Sequence, residues 1–257
     1  MPSISGQSLL VIGGSSGIGA AVARLAAEQG VRVSIASSNP ARVANAVARI
    51  KSQSSATVPD AHIRGFIIDL AQPDVEQRLE RLLADITADG SELLDHIVVT
   101  AGQPATRPLA RTDRDYLFGQ AQLILIAPIL VAKLAPRFLK PSYTSSVVFC
   151  GGRLAEKPIK GWPAGAAYAT GLNGLTRALA LDLAPLRVNV VHPGPTETEI
   201  WGETPEQRRG TKEFYASTLL LGKVGTPEEV AEAFIYLLRD SNITGTSINS
   251  SGGVLVQ

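Results

Sequence analysis

Much that would announce a specific chemistry is scarce in this 257-residue chain. It has one cysteine, Cys150, so no internal disulfide can form. That cysteine follows a β-like run, where it reads as a small buried hydrophobe. Three scattered histidines and one cysteine argue against a zinc site. Charged residues make up only 18% and sum to a net charge of +1. No basic run suggests a nucleic acid, and there is no acidic tail. No uninterrupted apolar stretch has spanning length, so no membrane segment is expected. The N-terminal MPSISGQSLLVIGGSSG has no basic region and too short an apolar run for a signal peptide, which points to the cytoplasm. What is abundant is apolar: 45% of residues are hydrophobic, enough to bury one large core.

Short β-rich runs alternate with helix-length segments. The expected strands are Ser8 to Ile12, Val31 to Ala36, Gly65 to Asp69, His96 to Thr100, Ser146 to Cys150, Arg187 to Val191 and Thr246 to Asn249. Several are continuously apolar, as in strands covered on both faces. Helices are expected at Ile18 to Gln29, Ala41 to Ser52, Asp74 to Ala88, Thr112 to Leu139, Ala164 to Ala184 and Pro227 to Arg239. The last opens with Thr-Pro-Glu-Glu, a capping box with proline in the first turn. The alternation predicts an α/β fold: a Rossmann-like, doubly wound parallel sheet of seven strands with helices on both faces. No repeat or linker divides the chain, so residues 1–257 form one expected dinucleotide-binding domain. Residues 195–225 read as a polar excursion able to cover a site.

The first strand runs into GGSSGIG, Gly13 to Gly19, which opens a helix. Gly13 permits the tight turn, Gly17 lets the backbone approach a pyrophosphate, and Gly19 lets the helix pack on the strand. The second strand ends in Ser37, Ser38 and Asn39, with Arg42 just beyond. An acidic residue there would select NAD; none is present. Hydroxyls and a guanidinium suit a 2′-phosphate, with Ser15 and Ser16 able to help, so NADP(H) is the expected cofactor.

The G-x-x-x-G-x-G spacing resembles the short-chain dehydrogenase/reductase family, with Ile12 where that family has threonine. Ile67 to Leu70, Asp95 to Gly102, Val188 to Ile200 and Ile243 to Gly253 carry further family marks in the right order. Val99 and Thr100 replace two asparagines of the second mark. The resemblance implies that Asp69 faces adenine. It also implies that Ile18, Leu70, Ala101 and Gly102 line the cofactor. Pro193 and Gly194 would shape the nicotinamide loop, the Thr196 backbone would meet the carboxamide, and Thr198 would reach a phosphate or amide.

The family's proton machinery is a tyrosine, a lysine, a serine and an asparagine. Tyr168 matches the tyrosine. Leu172 stands in place of the lysine, Gly151 and Gly152 in place of the serine, and Ile124 in place of the asparagine. A phenol with a pKa near 10 is a poor base without a nearby cation. Tyr168 therefore has two readings, a catalytic residue or a packing and cofactor-shaping one. Lys157 and Lys160, in the insertion from Arg153 to Gly165, either reach inward as substitutes or stay solvated. Gln120 and Gln122 lie near the lost asparagine and either serve there or face solvent. A structural role is favoured for His192. Trp162 and Trp201 either flank the substrate or pack the core.

Hydride transfer is the cofactor's own chemistry, whereas ketone reduction also needs an acid for the oxygen. An iminium or other cationic acceptor does not. The expectation is an NADPH-dependent reductase of small molecules with an atypical mechanism, acting on an iminium, conjugated or carbonyl acceptor in secondary metabolism. The alternative is an NADP(H)-binding cyclase, isomerase or pseudoenzyme without redox turnover. By resemblance, the helices over 112–139 and 164–184 form homodimer or homotetramer interfaces.

Overall fold

The structure, a computed structural model, describes residues 2–53, 62–102 and 106–257. Its strands are β1 (Ser8–Ile12), β2 (Arg32–Ser37), β3 (Ile63–Ile67), β4 (His96–Val99), β5 (Ser146–Cys150), β6 (Arg187–Pro193) and β7 (Ser247–Ser250). They form one sheet in the order β3-β2-β1-β4-β5-β6-β7, and every pairing is parallel. The helices are α1 (Gly17–Glu28), α2 (Pro40–Gln53), α3 (Val75–Thr87), α4 (Arg114–Ala121), α5 (Ala127–Phe138), α6 (Pro163–Asp182), α7 (Pro205–Thr218) and α8 (Pro227–Arg239).

Strand residues alternate between two cores. Leu9 and Val11 of β1 face the layer of α1, α2 and α8, with Val22, Val43 and Phe234. Leu10 and Ile12 face the layer of α3, α5 and α6, with Leu79, Val131 and Leu172. Period-two alternation between two apolar layers is why β1 reads as uninterrupted hydrophobe. Buried alanines at 20, 21, 23, 26 and 27 let α1 lie close to its neighbours. The doubly wound, Rossmann-like expectation therefore holds. The chain builds outward from β1 to β3 and then returns to place β4 on the other side of β1. The carboxyl ends of β1 and β4 open the crevice in which such folds bind ligands.

Three differences from the sequence reading matter. The strand expected from Gly65 begins two residues earlier, at Ile63. As the edge strand it is largely exposed, so no apolar run marks its start. A Cβ on Gly65 would come within 2.6 Å of Val43 Cγ1, so glycine lets α2 settle onto it. The segment from 195 to 225 is not simply a polar excursion, because it holds α7. Finally, the continuous helical run Arg114–Phe138 contains an 18-residue window of mean hydropathy 1.8 and is, by length and composition alone, able to cross a bilayer. Its α5 half is a core helix here, burying Ala127, Val131, Ala135 and Phe138. Ion pairs Lys133–Glu76 and Arg137–Glu80 tie it to α3. Gln122–Ile126 between α4 and α5 forms a π turn, a rare form found often at functional positions. The resemblance puts the missing asparagine inside that turn, at Ile124.

Candidate active site

The glycine loop occupies the crevice. Gly13 adopts φ 94°, and a Cβ there would lie 2.5 Å from Ala101 N and 2.7 Å from Thr100 Oγ1. Thr100, in place of an asparagine, instead bonds back to β1 through Oγ1 to Ile12 O at 3.3 Å. A Cβ on Gly19 would meet Gly13 O at 2.3 Å, so α1 packs against the turn as closely as a dinucleotide loop requires. Gly17 begins α1 with φ 51°; Ser15 is buried, and the Ser16 side chain makes no capping bond. No acidic residue stands in the first turn of α1, so its N-terminal dipole is uncompensated from within the helix. This cradle fits a dinucleotide pyrophosphate. Ile18 follows on α1, partly buried against the α1 core.

At the tip of β2, Ser37 is half-buried, and Ser38 and Asn39 are exposed. Asn39 Oδ1 accepts the Arg42 N–H at 3.0 Å and so caps α2. This presents the Arg42 guanidinium, about half exposed, beside the tip, where Nη2 meets Glu203 Oε1 at 2.7 Å. Asp69 lies just past β3. Its carboxylate accepts Gln72 Nε2 at 2.7 Å and Ala71 N at 3.0 Å, and these donors hold its pKa below the usual carboxylate range. Leu70 is buried, and its carbonyl accepts Gln122 Nε2 at 3.0 Å, so Gln122 does not face solvent freely. Ala101 and Gly102 leave β4 at the edge of the crevice, and Gly102 has open space around its Cα.

Beyond β6, a Cβ on Gly194 would strike the Ser251 backbone at 2.6 Å, so the loop carrying Pro193 lies directly on the turn after β7. Thr196 is buried, with Oγ1 on Gly194 O at 3.0 Å. The chain then crosses to the glycine loop. The methyl of Thr198 sits 3.2 Å from where a Cβ on Gly17 would be, and Glu199 Oε2 accepts the Gly17 N–H at 3.1 Å. Sequence reasoning passed over Glu199 and Glu203, although both lie within or beside a segment it quoted. Trp201 stacks on Tyr215 of α7, with centroids 5.5 Å apart, so it packs within this arm.

The residues at the proton-handling positions make the following contacts. Tyr168 donates its hydroxyl to the Leu117 carbonyl at 2.9 Å. Desolvation, and then the neighbouring Tyr116, push its pKa above the ordinary phenol value. Leu172 is 1% exposed within the main core. At the end of β5, a Cβ on Gly151 would lie 2.3 Å from His192 Nδ1. His192 is fully buried, and burial keeps its pKa low despite the nearby Glu156. Its Nδ1 accepts the Gly152 N–H at 3.0 Å, so Nε2 carries the proton and donates to Asn173 Oδ1 at 2.5 Å. The imidazole thus fills the room a side chain at position 151 would take. The Cys150 thiol beside it, pushed up to about 12 by burial, is inert.

The insertion supplies no substitute lysine. Lys157 Nζ is spent on the main-chain oxygens of Val254 and Gln257, both at 2.8 Å, and Lys160 is exposed. Arg153 lies over the Tyr215 ring at 5.5 Å, and Glu156 accepts Asn249 Nδ2 at 3.0 Å. Gln120 Oε1 is buried without a hydrogen-bond partner among the described residues, one turn along α4 from the Leu117 carbonyl that holds Tyr168.

A family model for the SDR-like Rossmann domain matches residues 3–257. The chain is 47% identical over 257 residues to the short-chain dehydrogenase/reductase ATR9 of Stachybotrys chlorohalonatus, covering 100% of both chains. It is 30% identical over 250 residues to the human 3-oxoacyl-[acyl-carrier-protein] reductase, covering 95% of this chain and 96% of that one. Among solved structures it resembles the MalC reductase/Diels-Alderase of Malbranchea aurantiaca at a TM-score of 0.90 and 36% identity, covering 98% and 97% of the two chains.

Proposed function

The chain belongs to the short-chain dehydrogenase/reductase family of oxidoreductases, and from that premise we propose that it is an NADPH-dependent reductase in secondary metabolism whose acceptor needs no protein-borne proton. The observation that carries this reading is the Tyr168 hydroxyl given to the Leu117 carbonyl, with Leu172 buried where a lysine would activate it. The glycine cradle supports dinucleotide binding, and Ser37, Ser38, Asn39 and Arg42, without an acid, support NADP(H) over NAD(H). When bound, the nicotinamide supplies a hydride. Gly13, Gly17, Gly19 and the α1 N-terminus would hold the phosphates. Asp69, Leu70, Ala101 and Gly102 would line the adenosine side, and Pro193, Gly194, Thr196 and Thr198 the nicotinamide side. The apolar surroundings of Leu172 would exclude water from the acceptor without placing a cation against it. A cyclic iminium or conjugated cation fits that environment best, because hydride addition neutralises it. Residues 195–225 would cover the acceptor.

Rapid mixing of NADPH with cyclic iminium ions and with matched ketones tests this. Iminium reduction is expected, with ketones slower by at least about 100-fold, the rate that general acid catalysis ordinarily supplies. Tyr168→Phe should keep iminium turnover within roughly threefold of wild type; a loss approaching 100-fold would mean the phenol still moves a proton. Similarity to a reductase/Diels-Alderase favours one second reading, a cyclisation guided by the same apolar site without NADPH consumption. The exposed Phe118, Ile126 and Ile129 of the α4–α5 run and Leu181 of α6 support a homodimer or homotetramer through these helices, which light scattering would read directly.

A further inference from the structure

The arm after β6 carries two carboxylates, and each meets a group reserved for a phosphate in the proposed cofactor site. Glu199 Oε2 accepts the N–H of Gly17, the first residue of α1, at 3.1 Å. Glu203, four residues on, pairs with Arg42 at 2.7 Å. The first is the place of the pyrophosphate and the second the place of the 2′-phosphate. A carboxylate presents the same chemistry to an N–H or guanidinium as a phosphate oxygen does. Thr198 packs its methyl against Gly17 in the same stroke, so the arm fills the space beside that N–H as well as bonding it.

We propose that Glu199 and Glu203 form a double latch that mimics the two phosphate groups of NADP(H), closing the arm over the cofactor site, and that cofactor binding displaces the arm. The proposal rests on the NADP(H) reading of the site. Four features make the arm a body that swings rather than unravels. Arg208 donates to the carbonyls of Gly202 and Glu203 at 2.9 and 3.1 Å. Glu197 pairs with Arg208 and Lys212. Thr204 and Gln207 close a capping box on α7, and Trp201 stacks on Tyr215. No residue of α7 is fully buried, and its apolar anchorage is confined to Tyr215, which packs with Trp201 against the small cluster of Leu219, Val224 and Val254. The single Gly17 N–H cannot serve carboxylate and phosphate together, and Glu203 offsets the Arg42 charge that a 2′-phosphate would meet, so release of the arm and arrival of the cofactor are one exchange. The covering segment is thereby set free to close over an acceptor only when the cofactor is in place.

Calorimetric titration of the full chain with NADPH and NADH, for wild type, Glu199→Gln and Glu203→Gln, separates the two latches. Each exposed contact is of a strength that corresponds to roughly two- to fivefold in affinity. Because the arm swings as one body, Glu203→Gln is expected to tighten both nucleotides by that factor, and NADPH further, because only NADPH brings a 2′-phosphate to Arg42. Glu199→Gln should tighten both. Hydrogen exchange supplies the second readout. The Gly17 amide should exchange faster in the unliganded double variant than in unliganded wild type, because its bond to Glu199 is the one that the swing breaks. If wild type binds neither nucleotide, the cofactor reading falls and the latch with it. If wild type binds NADPH but the variants bind no tighter, the latch alone is overturned. Tighter binding without any change in unliganded exchange also overturns it, since that is mere relief of charge repulsion.

Discussion

Restoring the family's lysine at position 172 should break the protein rather than repair it. Leu172 is 1% exposed and sits in the core shared by the sheet, α3, α5 and α6. A lysine there either keeps its charge in an apolar cluster or gives up its proton. Giving it up at pH 7.5 means titrating an amine almost three units below its ordinary value of about 10.4, which costs about 4 kcal/mol. That figure caps the electrostatic part, because the side chain takes the cheaper route. Most of the stem still packs, so the total stays near about 4 kcal/mol. The variant's folded pKa lies below its unfolded one, so its stability rises with pH up to the unfolded value. The deficit against wild type should therefore shrink to about 1 kcal/mol at pH 9.5. Urea denaturation at the two pH values measures this, with Leu172→Met as a control expected to lose under about 1.5 kcal/mol at both. A Leu172→Lys deficit below about 1 kcal/mol at pH 7.5, independent of pH, would refute the argument, because the ammonium would then be solvated in an open site.

The same logic applies to the lost serine. Gly151→Ala drives a Cβ to 2.3 Å from His192 Nδ1 and should cost about 2–4 kcal/mol through overpacking and the broken Gly152 and Asn173 bonds. Gly152→Ala, with open space and an extended backbone at φ −176°, should cost under about 1 kcal/mol by the same urea assay. Equal losses at the two glycines would count against the His192 clash. His96, fully buried between Ser146 and Gln7, has its pKa pressed down to about 3 by desolvation. The unfolded chain takes up that proton near pH 6.5 and the folded chain does not. Stability should fall by about 2 kcal/mol between pH 7.5 and 5.0, and His96→Gln should remove most of that slope.

How far the sequence shows this molecule depends on whether the signal is local. The glycine loop, every helical segment but α7 and the succession of strands along the chain are written in local runs, and they stand at or within a few residues of where expected. The Thr226–Glu229 capping box is present as read. The same pattern, Thr204-Pro205-Glu206-Gln207, opens α7 and could have revealed it. It was obscured because no residue of α7 is fully buried, so no apolar stripe follows the cap. Arg187 of the Arg-Val-Asn mark is structural: its guanidinium is buried and donates to the carbonyls of Tyr143, Thr144, Leu237 and Leu238. The contacts of Glu199 and Glu203 span 182 and 161 residues, and no periodicity or spacing links such partners. His192 and Gly151 are likewise coupled only across adjacent strands, through the β5–β6 register.

These couplings bear on what kind of site this is. A reductase that had merely lost residues would leave vacancies: a small side chain over open space, or a polar pocket without its partner. Here Leu172, in place of the lysine, is part of the core, and Gly151, one of the two glycines in place of the serine, lies against an imidazole held by two hydrogen bonds. The tyrosine has a new acceptor on α4, one turn from a buried Gln120 oxygen without a hydrogen-bond partner among the described residues. Each substitution is matched by packing from another element, so no single reversion restores the proton relay. The glycine cradle shows the opposite pattern, since Gly13, Gly14 and Gly19 all remain where a Cβ would collide within 3 Å. A cradle kept intact beside an altered proton path is the pattern that the proposed hydride-only chemistry would require.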